Sequence, residues 1–233
     1  MNTLSTPARR TVLLYSVLCG LCPLIPIPLV DDWIQGVVAR RMVRALFAEQ
    51  GLSPPREAVV HLTRERASCT WGCLLAPIVW PVKKLLKKIL FFLSFKSCID
   101  ASVSWLHRGW LLAMVIQRGE LREPQLVPAS GVWPVALAME EALEGVRKKP
   151  IAAIVRRSFE SSRSLLYGLA GRLLRTVSPA RGREEEEAAQ AVGELQQKEQ
   201  AVLDELVARL EAEVWQDQEY WAGILARYEE RRR

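Results

Sequence analysis

The sequence predicts an all-α protein: a multi-helix bundle that ends in a long C-terminal amphipathic helix. Apolar side chains recur with the 3.6-residue period of a helix along most of the chain, and no segment alternates with period 2 for long enough to indicate a sheet. Serine, aspartate, proline and glycine stand where these periodic segments begin and end, as helix-capping residues do. Of the 233 residues, half are hydrophobic and a quarter are charged, which provides ample material for a core.

The first element lies in the uncharged run TVLLYSVLCGLCPLIPIPLV at residues 11–30. Three prolines forbid a regular helix over its last third, which leaves a predicted helix at Thr11–Cys22 and an extended arm at Pro23–Val30. Such a helix is about 18 Å long at 1.5 Å per residue, and therefore too short to cross a hydrocarbon core of ~30 Å. It belongs to the protein's own core, to a membrane interface or to a partner. We expect it to pack against Val82–Leu93 or the continuation of that segment.

Capping residues define the next helices. Trp33–Gln50 follows a pair of aspartates and is closed by Gly51. A second helix opens at Ser53-Pro54-Pro55, with the serine as cap and proline at the first position, and runs to about Arg66. After a break at Ser68–Trp80, the apolar pattern predicts one long helix over Val82–Gln117.

Two further helices, Trp133–Lys149 and Pro150–Val177, complete a predicted body of about six helices that occupies residues 1–177. A linker, SPARGR, follows at residues 178–183. Residues 184–233 are then predicted to form one acidic amphipathic helix that docks on the body. Its docking stripe consists of Leu203, Leu206, Leu210, Val214, Trp221 and Leu225.

Charge is distributed unevenly. Residues 184–233 carry 14 acidic and six basic side chains, a net charge of −8, whereas residues 1–183 carry 26 basic and 12 acidic side chains, a net charge of +14. A basic body favours an anionic membrane surface or an acidic protein as its partner. Nucleic acid is disfavoured, because the basic residues are spread over several helices without interleaved aromatic residues. A small-molecule ligand is left open.

Lysines cluster at the start of the long central helix, on the face opposite its apolar residues. One interpretation is an ordinary solvated face. The other is contact with anionic lipid, in which each lysine contributes ~1 kcal/mol and neighbouring aromatic side chains insert into the interface. The candidate contact residues are Trp80, Lys83, Lys84, Lys87, Lys88 and Phe91.

The five cysteines are odd in number and lie mostly in apolar surroundings, which favours a reducing cytoplasm over a disulfide framework. We expect no disulfide and no metal, with Cys19 and Cys22 buried as small hydrophobic residues. A zinc site built from Cys19, Cys22, Cys69 and Cys73 is the alternative, with His61 as a further candidate ligand.

No catalytic motif is evident. The chain contains neither a nucleophile elbow nor a phosphate-binding glycine loop. His107, between Trp105 and Trp110, is interpreted as a packed or interfacial histidine and not as a general base. We therefore predict no catalytic residue and no cofactor.

One segment resembles a known family. Ile25-Pro26-Ile27-Pro28, the aspartates that follow, Arg41-Met42 and Gly51-Leu52 are similar to a small helical domain of bacteria whose biochemical role is unknown. That domain is found with membrane-associated GTPases and in inner-membrane proteins, and in it a Pro-x-Pro turn joins an apolar helix to an amphipathic one. The resemblance covers residues 25–52, implies proximity to a membrane and assigns no functional residue.

These observations together predict a bacterial, non-enzymatic helical protein that associates with the cytoplasmic face of a membrane or binds a partner. Two alternatives stay open: a helical interaction or regulatory subunit without membrane contact, and an enzyme of unrecognised type.

Overall fold

The computed structural model describes residues 4–25, 27, 30–63, 83–122, 131–177 and 185–232, and for residues 83–92 and 185 it describes the backbone alone. Within these ranges the protein is helical and has no strand, which confirms the predicted all-α fold. The α-helices are α1 (Thr6–Leu21), α2 (Val30–Ala48), α3 (Arg56–Thr63), α4 (Lys83–Gln117), α5 (Trp133–Glu144), α6 (Lys149–Ser161), α7 (Arg163–Val177), α8 (Glu185–Lys198), α9 (Gln200–Val214) and α10 (Gln218–Arg232).

Helix α1 lies at the centre of the fold and packs most extensively along α4, in the antiparallel direction. Gly20, near the end of α1, lies against Cys98 and Ser102, whereas Gly109 lies against Val12. The uncharged run is therefore core, and the predicted packing of α1 on the continuation of residues 82–93 is confirmed. Helix α1 also contacts α2, α7 and α9.

Both ends of α1 differ from the prediction. The helix begins five residues earlier than Thr11, because Ser5 caps it: the Ser5 Oγ accepts a hydrogen bond from the Ala8 amide at 3.4 Å. At the other end the chain forms a 3-10 helix at Cys22–Leu24 and becomes extended at Ile25, so the predicted arm is wrong over its first two residues. Two of the arm's prolines, at positions 26 and 28, lie outside the described residues.

Glycines in the left-handed conformation close two helices. Gly51 has φ 69° and follows α2, where the Leu52 amide donates to the Phe47 carbonyl at 3.0 Å. Gly119 has φ 76° and closes α4 in the same way. The stop predicted at Gly51 and the continuous central helix are both confirmed.

One predicted helix is two. Where Pro150–Val177 was expected, the chain leaves the helical conformation at Ser162, with φ −116° and ψ 20°, between α6 and α7. The neighbouring Ser161 hydroxyl donates to the Ser158 carbonyl at 2.9 Å. A serine hydroxyl that binds a nearby backbone carbonyl competes with the backbone hydrogen bonds of the helix. Serine therefore has a lower helix propensity, and the helix can end here.

The C-terminal segment is also divided, into α8, α9 and α10 instead of one long helix. Glu199 and Trp215 leave the helical conformation, and the Asp217 Oδ1 then caps α10 by accepting from the Tyr220 amide at 2.9 Å. Helix α8 packs on α2 and α7, α9 packs on α1 and α6, and α10 packs on α5. All six residues of the predicted docking stripe are buried, and one apolar cluster extends from Leu4 to Tyr228.

Ion pairs join this segment to the basic helices beneath it. Most of these side chains are partly exposed, so each pair contributes ~0–1 kcal/mol, and apolar burial dominates the packing. The pairs are Arg10–Glu211 (3.6 Å), Arg44–Glu186 (3.7 Å), Arg118–Glu229 (2.5 Å), Arg157–Glu213 (2.6 Å) and Arg172–Glu199 (2.8 Å).

Among the described residues, none of the helices has the length and apolarity needed to traverse a bilayer. The predicted break at 68–80, most of the loop at 124–131 and the linker at 178–183 lie outside the described residues.

Candidate functional site

A groove of about 440 Å³ lies between α10, the start of α1 and the C-terminal half of α4. We call it the tryptophan groove. Its polar lining is Arg9, Arg118, Gln218, Glu219 and Glu229, and its apolar lining is Leu4, Trp110, Trp215, Trp221, Ala222, Leu225 and Ala226.

Two of the three tryptophans lie at the junction of α9 and α10: Trp215 follows the end of α9, and Trp221 lies in the first turn of α10. Trp221 is tied back to the end of α9, because its Nε1 donates to the Val214 carbonyl at 2.9 Å. The ring centroid of Trp215 is 5.1 Å from that of Trp221 at an interplanar angle of 46°. The wall of the groove is therefore held by a hydrogen bond as well as by packing.

Trp221 is the centre of an aromatic cluster that joins the C-terminal segment (residues 185–232, called the tail below) to α4. Its ring lies 4.8 Å from Trp110, 5.3 Å from His107 and 5.3 Å from Tyr220. Trp110 is 4% exposed and Trp221 is 5% exposed, whereas Trp215 is half-buried. Ring pairs at these separations contribute about 0.5–1.5 kcal/mol each beyond their buried area. The cluster is consequently a rigid wall, and Trp215 is its most accessible member.

His107 lies beneath this wall, is fully buried and does not line the groove. Its Nδ1 is 2.6 Å from the Val103 carbonyl and must carry the proton, so its Nε2 accepts from the Tyr220 hydroxyl at 2.5 Å. Burial lowers the pKa of His107 from 6.5 to about 4, the Val103 hydrogen bond opposes this shift, and the Lys148 charge adds to it. His107 is a neutral, packed side chain.

The four charged side chains that line the groove differ in their exposure and in their partners. Arg118 and Glu229 neutralise each other at 2.5 Å. Glu219 is exposed in the first turn of α10. The side chain of Arg9 makes no hydrogen bond or ion pair with any residue that the structure describes, and the residue is half-buried. Its neighbour Arg10 points to a different partner, Glu211, and does not line the groove.

The lysine-rich candidate surface falls on residues of which little is described. Lys83, Lys84, Lys87, Lys88 and Phe91 lie in the first turns of α4, and their side chains are outside the described residues. Trp80 is outside them altogether. The first side chain of α4 that the structure describes is that of Leu93, which is 49% exposed.

The cysteines of the zinc alternative are only half described. Cys19 and Cys22 are buried free thiols, and burial raises the pKa of the Cys22 thiol. Cys69 and Cys73 lie outside the described residues. His61 packs edge-on against the Trp133 ring at 5.8 Å. Within the part of the chain that is described, no three metal-ligating side chains converge.

Sequence patterns did not indicate the groove. Trp221 and Leu225 were predicted as docking residues, and they both bury against the body and border the groove. Leu4 and Arg9 lie far away in sequence, and packing alone brings them to the C-terminal helix. The clustering of Trp215 and Trp221 within seven residues was the one local signal.

No protein-family model, curated protein or solved structure matches the chain. The resemblance of residues 25–52 to a bacterial membrane-associated domain stays a prediction.

Proposed function

We propose that this protein is a non-enzymatic helical binding protein and that the tryptophan groove holds its ligand or a side chain of its partner. The observation that carries the proposal is the groove itself: its volume of about 440 Å³ lies within the ~300–1,000 Å³ of typical ligand sites. Its lining has the usual composition of such sites, namely apolar and aromatic walls with a few convergent polar groups.

The geometry favours binding over proton transfer. The nearest histidine, His107, lies behind the wall with both ring nitrogens engaged, by Val103 and by Tyr220. Two of the charged side chains at the groove, Arg118 and Glu229, are paired with each other. A wall held by the Trp221 hydrogen bond is preorganised, which reduces the ordering cost of binding.

The test is fluorine NMR on protein labelled with 5-fluorotryptophan, titrated with a panel of small aromatic and aliphatic compounds. Resonances are assigned with single Trp→Phe variants. We expect the Trp215 resonance to shift saturably, because this ring is the accessible part of the wall. Trp133, which is 51% exposed on α5, is the internal control and should not shift.

A matched pair of variants locates the binding. Ala222→Leu fills the groove from an exposed position on α10, and Gly223→Ala adds a methyl group one residue away where no atom lies within 4 Å. Binding should be lost in the first variant and retained in the second. Equal shifts of Trp133 and Trp215, or binding that survives Ala222→Leu, would contradict the proposal.

Association with a membrane surface on the cytoplasmic side is a second candidate, and one observation favours it. Gly20, next to the last residue of α1, lies against Cys98. Helix α4 therefore continues past α1 over residues 83–97, about 22 Å at 1.5 Å per residue. This lysine-bearing stretch includes the exposed Leu93, and such a combination suits anionic lipid.

Sedimentation with anionic and neutral liposomes, at low and high salt, tests this candidate. Binding should require anionic lipid, weaken as salt shortens the Debye length, and fall in Leu93→Gln. Val60→Gln removes another exposed apolar side chain, 41% exposed on α3, and serves as the control. Sedimentation that is no greater with anionic than with neutral liposomes would contradict attraction to an anionic membrane surface and leave the groove proposal standing.

A further inference from the structure

The charge that the groove leaves uncompensated identifies the chemistry of its ligand. Arg9 is half-buried there without a described partner, whereas the exposed Glu219 is solvated and Arg118 is neutralised by Glu229. A partly desolvated cation gains more from a counter-ion than a solvated one does. The planar guanidinium also matches the two oxygens of a carboxylate. The groove is therefore suited to an anionic group that pairs with Arg9.

The aromatic lining of the groove indicates what carries that anionic group. The rings of Trp110, Trp221 and Trp215 form a series with centroids 4.8 Å and 5.1 Å apart. Trp215 ends this series and is half-buried, so a further ring can pack against it at a similar separation. The small side chains of Ala222 and Ala226 leave room beside the series along α10.

We propose that the tryptophan groove binds a small aromatic carboxylate, whose ring continues the Trp110–Trp221–Trp215 series and whose carboxylate pairs with Arg9. This inference rests on the proposed function, because it names the ligand class of the same groove. It goes further in requiring both a negative charge and an aromatic ring.

Three probes of matched size separate these requirements in calorimetric titrations of the full chain. 2-Naphthoate has both features, 2-naphthylmethanol keeps the ring without the charge, and decanoate keeps the charge without the ring. We expect 2-naphthoate to bind about tenfold more tightly than either of the others, because a hydrogen bond to a charged group is stronger than one between neutral groups, although solvent at the half-buried Arg9 removes part of this gain.

Adjacent arginines supply the matched variants. Arg9→Gln should weaken 2-naphthoate about tenfold and leave 2-naphthylmethanol unchanged, and Arg9→Lys should restore part of the affinity. Arg10→Gln removes the same charge from the next position, where the side chain pairs with Glu211 at 3.6 Å, and should leave all three affinities unchanged. Unfolding midpoints of the three variants establish that each is folded.

The outcomes distinguish this inference from the proposed function. Equal binding of 2-naphthoate and 2-naphthylmethanol, or an affinity for 2-naphthoate that Arg9→Gln leaves unchanged, would overturn the carboxylate assignment. Tighter binding of decanoate would overturn the aromatic one. In each case a loss of binding in Ala222→Leu would still place the ligand in the groove. Absence of binding by all three probes overturns the inference itself, and the fluorine NMR panel then decides whether the groove binds anything.

Discussion

Replacing Gly20 by alanine tests the close packing of α1 on α4, on which the rest of the fold is built. A Cβ at this position would lie 1.7 Å from the Ser102 Oγ and 2.9 Å from the Cys98 carbonyl oxygen. The hydroxyl can rotate away, but the carbonyl belongs to the backbone of α4. The two helices must therefore separate, and overpacking of this kind costs about 1–3 kcal/mol.

Alanine also has a higher helix propensity than glycine, by up to ~1 kcal/mol, and this gain partly masks the steric cost. Gly171→Ala is the matched control, because it lies within α7 with no atom within 4 Å of its Cβ position. It should raise the free energy of unfolding by up to ~1 kcal/mol. The two variants share the propensity gain, so their difference isolates the steric cost.

Urea unfolding, followed by circular dichroism at 222 nm, gives the comparison. We expect Gly20→Ala to be less stable than Gly171→Ala by about 1–3 kcal/mol, and the larger Gly20→Val to be less stable still. If Gly20→Ala is as stable as Gly171→Ala, then α1 and α4 are not in the close contact described, and the position of α1 at the centre of the fold is wrong.

Three further predictions concern the link between the tail and the body. The neutral, buried His107 has a folded pKa of about 4 against 6.5, so the unfolded chain binds more protons between these values. Its contribution is complete above pH 6.5, is lost as the pH falls towards 4, and amounts to about 3 kcal/mol. Urea unfolding at pH 7 and pH 5.5 covers the first part of this range, so the parent should lose about 1 kcal/mol and His107→Gln should lose less; equal losses would contradict the prediction. Tyr220→Phe removes the donor to the His107 Nε2 and should lower the free energy of unfolding by ~1–3 kcal/mol. Tyr15→Phe should have little effect, because the Tyr15 hydroxyl makes no hydrogen bond to any residue that the structure describes. A chain ended at residue 183 loses several fully buried leucines, each contributing ~1.5–3 kcal/mol to a total stability of only ~5–15 kcal/mol. It should show no cooperative thermal transition by calorimetry, and a sharp transition would show that the body folds alone.

The sequence predicted correctly those helix boundaries that depend on a single capping residue or on one uninterrupted periodic segment. The stop at Gly51 depends on a left-handed residue, and the long α4 depends on an uninterrupted apolar period without proline. The breaks at Ser162 and Trp215 were missed because helical residues flank both of them. A side-chain hydrogen bond accompanies each break: the Arg209 guanidinium donates to the Ser162 Oγ at 3.3 Å, and the Trp221 Nε1 donates to the Val214 carbonyl.

The candidate site could not be predicted for a related reason. Leu4, Trp110 and Leu225 border one groove, yet they come from the start, the middle and the end of the chain. No periodic pattern encodes their proximity. Whether Arg9 is paired depends equally on the packed structure, since the sequence offers two adjacent arginines and packing gives a partner to Arg10.

The most direct measurement of the central claim, that the tryptophan groove is a binding site, is a crystallographic soak with the same panel of small compounds in a crystal form that leaves the groove open to solvent. We predict density for bound compounds against Trp215, between Arg9 and Ala222. Compounds bound at other surfaces of the protein, with none in an open groove, would contradict the claim.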